Sequence, residues 1–116
     1  MEKDKTVEMV VAQAVADKRG RDVTVMDVSK ASTIADQFIV VTANSDIHMG
    51  TLCDAAGDVL DELNVDYTVE GQTSSQWRLL DAGNLLVHVF SSKGREFYDL
   101  ERVWGDHPSY RLENVD

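Results

Sequence analysis

A strand that alternates apolar and polar residues can keep one face wet, whereas a strand without alternation must be covered on both. The run Gln37-Phe38-Ile39-Val40-Val41-Thr42 is apolar without alternation, which suits a central strand with layers on both sides. Helices to cover it are within reach. Val7, Val10, Val11, Ala14 and Val15 recur at helical spacing behind Thr6, a plausible N-cap, with Glu8 in the first turn and Lys18-Arg19-Gly20 as the stop. Leu52, Ala55, Ala56, Val59, Leu60 and Leu63 mark a second helix, capped from Asn44-Ser45-Asp46 and ending near Asn64.

The remaining segments read as strands. Asp22 to Val28 is rich in β-branched residues, and Val65 to Glu70 is a short strand. Gln76 to Asp81 alternates, Ala82-Gly83-Asn84 turns, and Leu85 to Ser91 returns antiparallel. A short helix is expected near Gly94 to Tyr98. The order α-β-β-α-β-β-β predicts an α/β fold: one domain, with a mixed sheet of about five strands and helices packed on it. Its core spans about 7–104, and residues 105–116, marked by Pro108, form a loosely held tail.

At 116 residues the chain has room for one core and not two. No apolar run approaches the length needed to cross a bilayer, and the opening MEKDKTVEMV has no secretory h-region or Arg-rich transit pattern. These features place the protein where it is made, most simply a bacterial cytoplasm. The net charge of −10 disfavours broad binding to a phosphate backbone, so a role near RNA requires gripping a protein there.

Catalytic and metal chemistry find little support. The lone Cys53 forms no internal disulfide and reads as a small apolar helix residue. His48, His88 and His107 lack partners at ligand spacing, so no metal is expected. No phosphate-binding glycine loop or nucleophile elbow is present, and no cofactor is expected. The element order brings nucleotidyltransferase-like domains to mind, but those need close paired carboxylates for two metal ions. Here Asp22 and Asp27 lie at opposite ends of one strand, and Asp36 precedes the next. Asp54, Asp58, Asp61 and Glu62 read as a solvated helix face.

Surface chemistry is what remains. In the hairpin, Trp77, Leu79 and Asp81 share one face and Arg78 and Leu80 the other; Leu85, Val87 and Val89 oppose Leu86, His88 and Phe90. Both faces are apolar, so part of the hairpin is expected to stay uncovered as a protein-binding surface with Trp77 as its anchor. The competing reading is that Trp77, Val87, Val89, Phe90 and Phe97 complete the core and His88 is a hydrogen-bonded structural residue.

Several runs carry a resemblance at fixed spacings. They are Ser75-x-Trp77-x-Leu79-x-Asp81-x-Gly83, then Val87-His88-Val89-Phe90, then Arg95-Glu96-Phe97-Tyr98-Asp99-Leu100-Glu101-Arg102-x-Trp104. With Asp27-Val28-Ser29 and Ala35-Asp36-x-Phe38-Ile39-Val40 upstream, the chain from Val7 to Trp104 resembles the ribosomal silencing factor family, also called Iojap-like. Asn84 and Lys93-Gly94 depart from a more acidic family pattern. The resemblance implies a nucleotidyltransferase-like fold without the catalytic acids and a protein that is not an enzyme. It further implies a translational repressor that binds the large ribosomal subunit through its ribosomal protein fourteen. Seated on the intersubunit face, such a protein blocks joining with the small subunit; when free it forms a homodimer. The residues expected to bind the partner are Trp77, Leu79, Asp81, Val87, His88, Phe90, Arg95, Phe97, Tyr98, Leu100 and Trp104. The alternatives are a nucleotide-binding or nucleotidyltransferase-like domain, and a plain homodimeric scaffold.

Overall fold

The chain runs helix α1 (Val7–Asp17), strands β1 (Arg21–Asp27) and β2 (Gln37–Ala43), helix α2 (Asp46–Glu62), strands β3 (Thr68–Glu70), β4 (Trp77–Asp81) and β5 (Leu85–Ser91), helix α3 (Ser92–Tyr98) and strand β6 (Ser109–Arg111). The computed structural model describes residues 6–29, 35–99 and 109–111. The strands form one six-stranded sheet in the order β3-β4-β5-β2-β1-β6. β2 and β5 pair in parallel at the centre, with Phe38 opposite Leu86 and Val40 opposite His88, and the other neighbours are antiparallel. The α/β architecture expected from the sequence is therefore present.

The unbroken apolar run has the predicted place. From Phe38 to Ala43 every residue of β2 is buried, as is every residue of β5 from Leu85 to Phe90. Ile39, Val41, Val87, Val89 and Leu80 point to the side where α1 and α2 lie, meeting Val11, Val15, Met49, Leu52 and Leu60. On the opposite side Phe38, Val40, Leu86 and Phe90 join Met26, Val28 and Ala35, with Trp77 and Leu79 packed against them. Burying a side chain of this size contributes about 1.5–3 kcal/mol, so this two-sided core is the main support of the fold.

Local chemistry sets the ends of the helices. Thr6 caps α1 by accepting from the Met9 amide, and Ser45 caps α2 by accepting from the His48 amide. After α1 the chain reverses through Arg19, whose φ is 68°. The Gly20 amide reaches back to the Val15 carbonyl at 2.9 Å. Gly20 therefore serves close approach: a Cβ there would lie 2.5 Å from Val41 Cγ2 and 2.7 Å from the Val15 oxygen. Asn64 ends α2 with φ 59°, and the Val65 amide returns to the Leu60 carbonyl at 2.8 Å. His48 ties the two helices together. Its Nδ1 accepts from the Asn44 amide at 2.8 Å and its Nε2 meets the Lys18 carbonyl at 2.9 Å.

Two expectations are corrected. The sheet has six strands, because Ser109–Arg111, within the stretch expected to be loose, pairs with Thr24–Met26 of β1. And β3 is only Thr68–Glu70, with Val65 to Tyr67 outside the ladder. Tyr67 instead lies over Gly57, where an added Cβ would meet the phenol oxygen at 2.5 Å.

Candidate aromatic docking face

The β4–β5 hairpin is held in register by its turn. The Ala82 amide donates to the Leu85 carbonyl at 2.9 Å, Gly83 adopts φ 84°, and Asp81 Oδ1 accepts the Gly83 amide at 3.0 Å. Asp81 is thus a turn residue first. The register sets Trp77 opposite Phe90 and Leu79 opposite His88, so the indole lies beside the imidazole on the side away from α1 and α2.

There the aromatic rings converge. Trp77 stacks on Phe90 with centroids 5.3 Å apart, and Tyr98 approaches the same indole at 4.4 Å. Phe97 meets Tyr98 edge-on at 5.0 Å. Depth is graded across this group. Phe90 is fully buried, Trp77 and Leu79 are half-buried, Tyr98 is 38% exposed and Phe97 is 77% exposed. Offset and edge-on ring pairs of this kind add about 0.5–1.5 kcal/mol beyond area burial.

His88 is the polar member of the cluster. The Trp77 indole N–H donates to His88 Nδ1 at 3.1 Å. An indole nitrogen can only donate, so Nδ1 is bare and the neutral ring carries its proton on Nε2. That Nε2 is buried and has no hydrogen-bond partner among the described residues, and Phe38 packs against the ring at 4.9 Å and 64°. Burial pushes the His88 pKa down to about 4, so the ring is neutral at physiological pH and serves as a fixed acceptor for Trp77.

The α3 helix carries the exposed rings. Ser91 caps it by accepting from the Gly94 amide at 2.9 Å, and Asp99 closes it in the left-handed region with φ 46°. Gly94 is buried against β4, where an added Cβ would collide with the Gln76 carbonyl oxygen. Arg95 points into the fold. Its Nη1 donates to Thr42 Oγ1 and its Nη2 to Thr24 Oγ1, each at 3.1 Å.

The expected binding residues therefore divide. Trp77, Leu79, Phe97 and Tyr98 come together on one face, and Asp81 sits half-buried at the hairpin turn. Val87 is corrected to core: it is fully buried among the residues facing α1 and α2. Phe90 and His88, 0% and 4% exposed, lie beneath Trp77 and support it from below. Arg95 reaches across to donate to the two threonines. Leu100 and Trp104 lie outside the described residues. The part of the hairpin left half-exposed is thus the Trp77–Leu79 strip. Ile47, 84% exposed on the first turn of α2, is an apolar surface residue that the sequence reading passed over.

The features weighed against catalysis can be placed too. Asp22 and Asp27 flank β1 and are exposed, and Asp27 Oδ1 accepts both the amide and hydroxyl of Ser29. Among the described residues no three His, Cys, Asp or Glu side chains gather into a metal-sized group. Burial pushes the Cys53 thiol up to about 11, so it stays protonated and poorly nucleophilic. Asp54, Asp58, Asp61 and Glu62 are exposed on α2 as a solvated acidic face. No helix among the described residues is long and apolar enough to cross a membrane.

Comparison with known proteins agrees in sequence and in shape. A ribosomal silencing factor RsfS of Bacillus subtilis is 34% identical over 110 residues, covering 94% of this chain and 93% of that protein. A crystal structure of protein CV0518 from Chromobacterium violaceum superposes with a TM-score of 0.82 at 31% identity, covering 95% of this chain and 93% of that one. A more distant mouse relative, "mitochondrial assembly of ribosomal large subunit protein 1", is 22% identical over 84% of this chain and 44% of its own length. The family model for the ribosomal silencing factor during starvation matches residues 2–116. The chain belongs to the ribosomal silencing factor family.

Proposed function

We propose that this chain is a non-catalytic translational repressor that docks on the large ribosomal subunit through the face formed by Trp77, Leu79, Phe97 and Tyr98. The observation that carries this reading is Phe97, 77% exposed at the end of a ring cluster whose other members descend into the core. Exposed aromatics backed by a rigid, desolvated base are the residues on which protein interfaces concentrate their binding energy. The family supplies the ribosome as the place, and the name of the mouse relative points to the large subunit. On this reading the contacted component is a ribosomal protein, the fourteenth of the large subunit, since a chain of charge −10 gains nothing from exposed rRNA. Seated at the intersubunit face, the folded domain obstructs the small subunit. In the absence of ribosomes two copies pair as a homodimer, and the protein works in the cytoplasm.

The test is sedimentation with purified large subunits, small subunits and intact ribosomes, followed by light scattering of subunit association. The reading expects pelleting with large subunits alone and a stoichiometric loss of association. Equal pelleting with small subunits, or pelleting without any effect on association, contradicts it.

A further inference from the structure

We propose that Arg95 does not touch the partner and is instead the positioning residue that holds α3, and with it Phe97 and Tyr98, over Trp77. This rests on reading that face as the docking surface. The guanidinium fork spans two strands, donating from Nη1 to Thr42 on β2 and from Nη2 to Thr24 on β1, both at 3.1 Å. Both threonines are only 5% exposed, so neither can meet a partner. A planar fork suits two acceptors on separate strands, and charged donors make the stronger hydrogen bonds.

The arrangement is prepared from the far end of β1. The β1–β2 register slips between Arg21 and Thr24, where Asp22 takes φ 52°. At that irregularity the Asp22 carbonyl accepts the Thr24 hydroxyl proton at 3.1 Å. The hydroxyl rotor is thereby fixed, and an oxygen lone pair is left facing Arg95. One residue of irregular backbone on β1 thus orients a hydroxyl and the hydroxyl anchors a cation. Two and three residues further along α3, Phe97 and Tyr98 meet each other and the indole of Trp77. With Gly94 packed against the Gln76 carbonyl as pivot, the geometry leaves α3 one seat on the sheet.

Separating positioning from contact takes a cycle of variants. Thr24→Val with Thr42→Val keeps shape and removes both acceptors; Arg95→Met is made in the native chain and in that background. Affinity is read by co-sedimentation with purified large subunits, with Trp104 in place. Trp77 emission, read on separate samples that carry Trp104→Phe, reports whether Tyr98 still covers the indole. The double threonine variant is expected to bind about tenfold more weakly and to shift Trp77 emission to the red. Arg95→Met should then cost less in that background than in the native chain. If Arg95→Met costs the same affinity in both backgrounds, Arg95 contacts the partner and the proposal falls. Arg95→Lys keeps the charge without the fork and should reproduce the threonine result, which covers the case of a poorly folding double variant. If the native chain fails to bind large subunits, the docking reading fails by itself. The emission shift then decides the proposal alone, and unchanged emission in the threonine and Lys variants overturns it.

Discussion

His88 shows how one buried side chain ties site and stability together. In the unfolded chain it takes up a proton near pH 6.5, and in the folded chain only near 4, because burial penalises the cation. Between those values the unfolded state binds more protons, so stability is full above pH 6.5 and falls as pH drops through the window toward 4. The whole effect is roughly 3 kcal/mol, of which about 2 is lost by about pH 5. Urea midpoints of the native chain and His88→Gln, measured at about pH 7.5 and about pH 5, isolate it. The native chain should lose about 2 kcal/mol more than the variant between the two; equal losses contradict the assignment. Trp77→Ala is a different experiment. It frees His88 Nδ1, strips the cover from Phe90 and should cost about 3 kcal/mol of stability as well as affinity. Trp77 is therefore a poor probe of docking alone, and Phe97 is a better one.

At the scale of elements, α3 carries the exposed rings of the proposed docking face. Gly94→Ala sets a methyl group against the Gln76 carbonyl, so α3 must lift while the two-sided core beneath it stays intact. The expected cost is about 1–3 kcal/mol by urea denaturation, with faster hydrogen exchange confined to α3 and the start of β4. Exchange spread evenly over the sheet would speak against α3 as a separable element. These elements were not equally legible beforehand. The Phe38–Val41 run dictated a strand covered twice, and β2 is that strand, because unbroken apolarity has no other stable place. Thr6 and the Asn44–Asp46 cluster marked two helix starts for the same local reason, and within the cluster Ser45 is the cap. β6 carried no such mark: three residues after Pro108 join the sheet through backbone pairing, which leaves no side-chain pattern. The site was half legible. Period-two alternation put Val87 and His88 on opposite faces correctly, but alternation does not say which face another element will cover. Arg95 was expected to bind the partner; its threonine acceptors lie 53 and 71 residues away in sequence, where no local pattern reveals them.

For the molecule as a whole, the two faces differ in chemistry. The α1–α2 side carries the solvated acidic residues of α2, and the opposite side carries the aromatic face. A repressor at a subunit interface can act by bulk or by charge. Charge is screened beyond roughly 8 Å at physiological salt, whereas a folded body of 12.9 kDa is not displaced without breaking its own contacts. Replacing Asp54, Asp58, Asp61 and Glu62 by their amides should leave inhibition of subunit association unchanged in light scattering; its disappearance with binding intact would make charge the mechanism. The central claim is that docking runs through the exposed ring of α3. The affinity of Phe97→Ala for purified large subunits tests it most directly, with Glu62→Gln on the opposite face as control. Phe97 is largely in water, so its removal should leave the urea midpoint unchanged while weakening binding by about 2 kcal/mol, roughly thirtyfold. Native affinity in Phe97→Ala, or an equal loss in the control, would contradict the account.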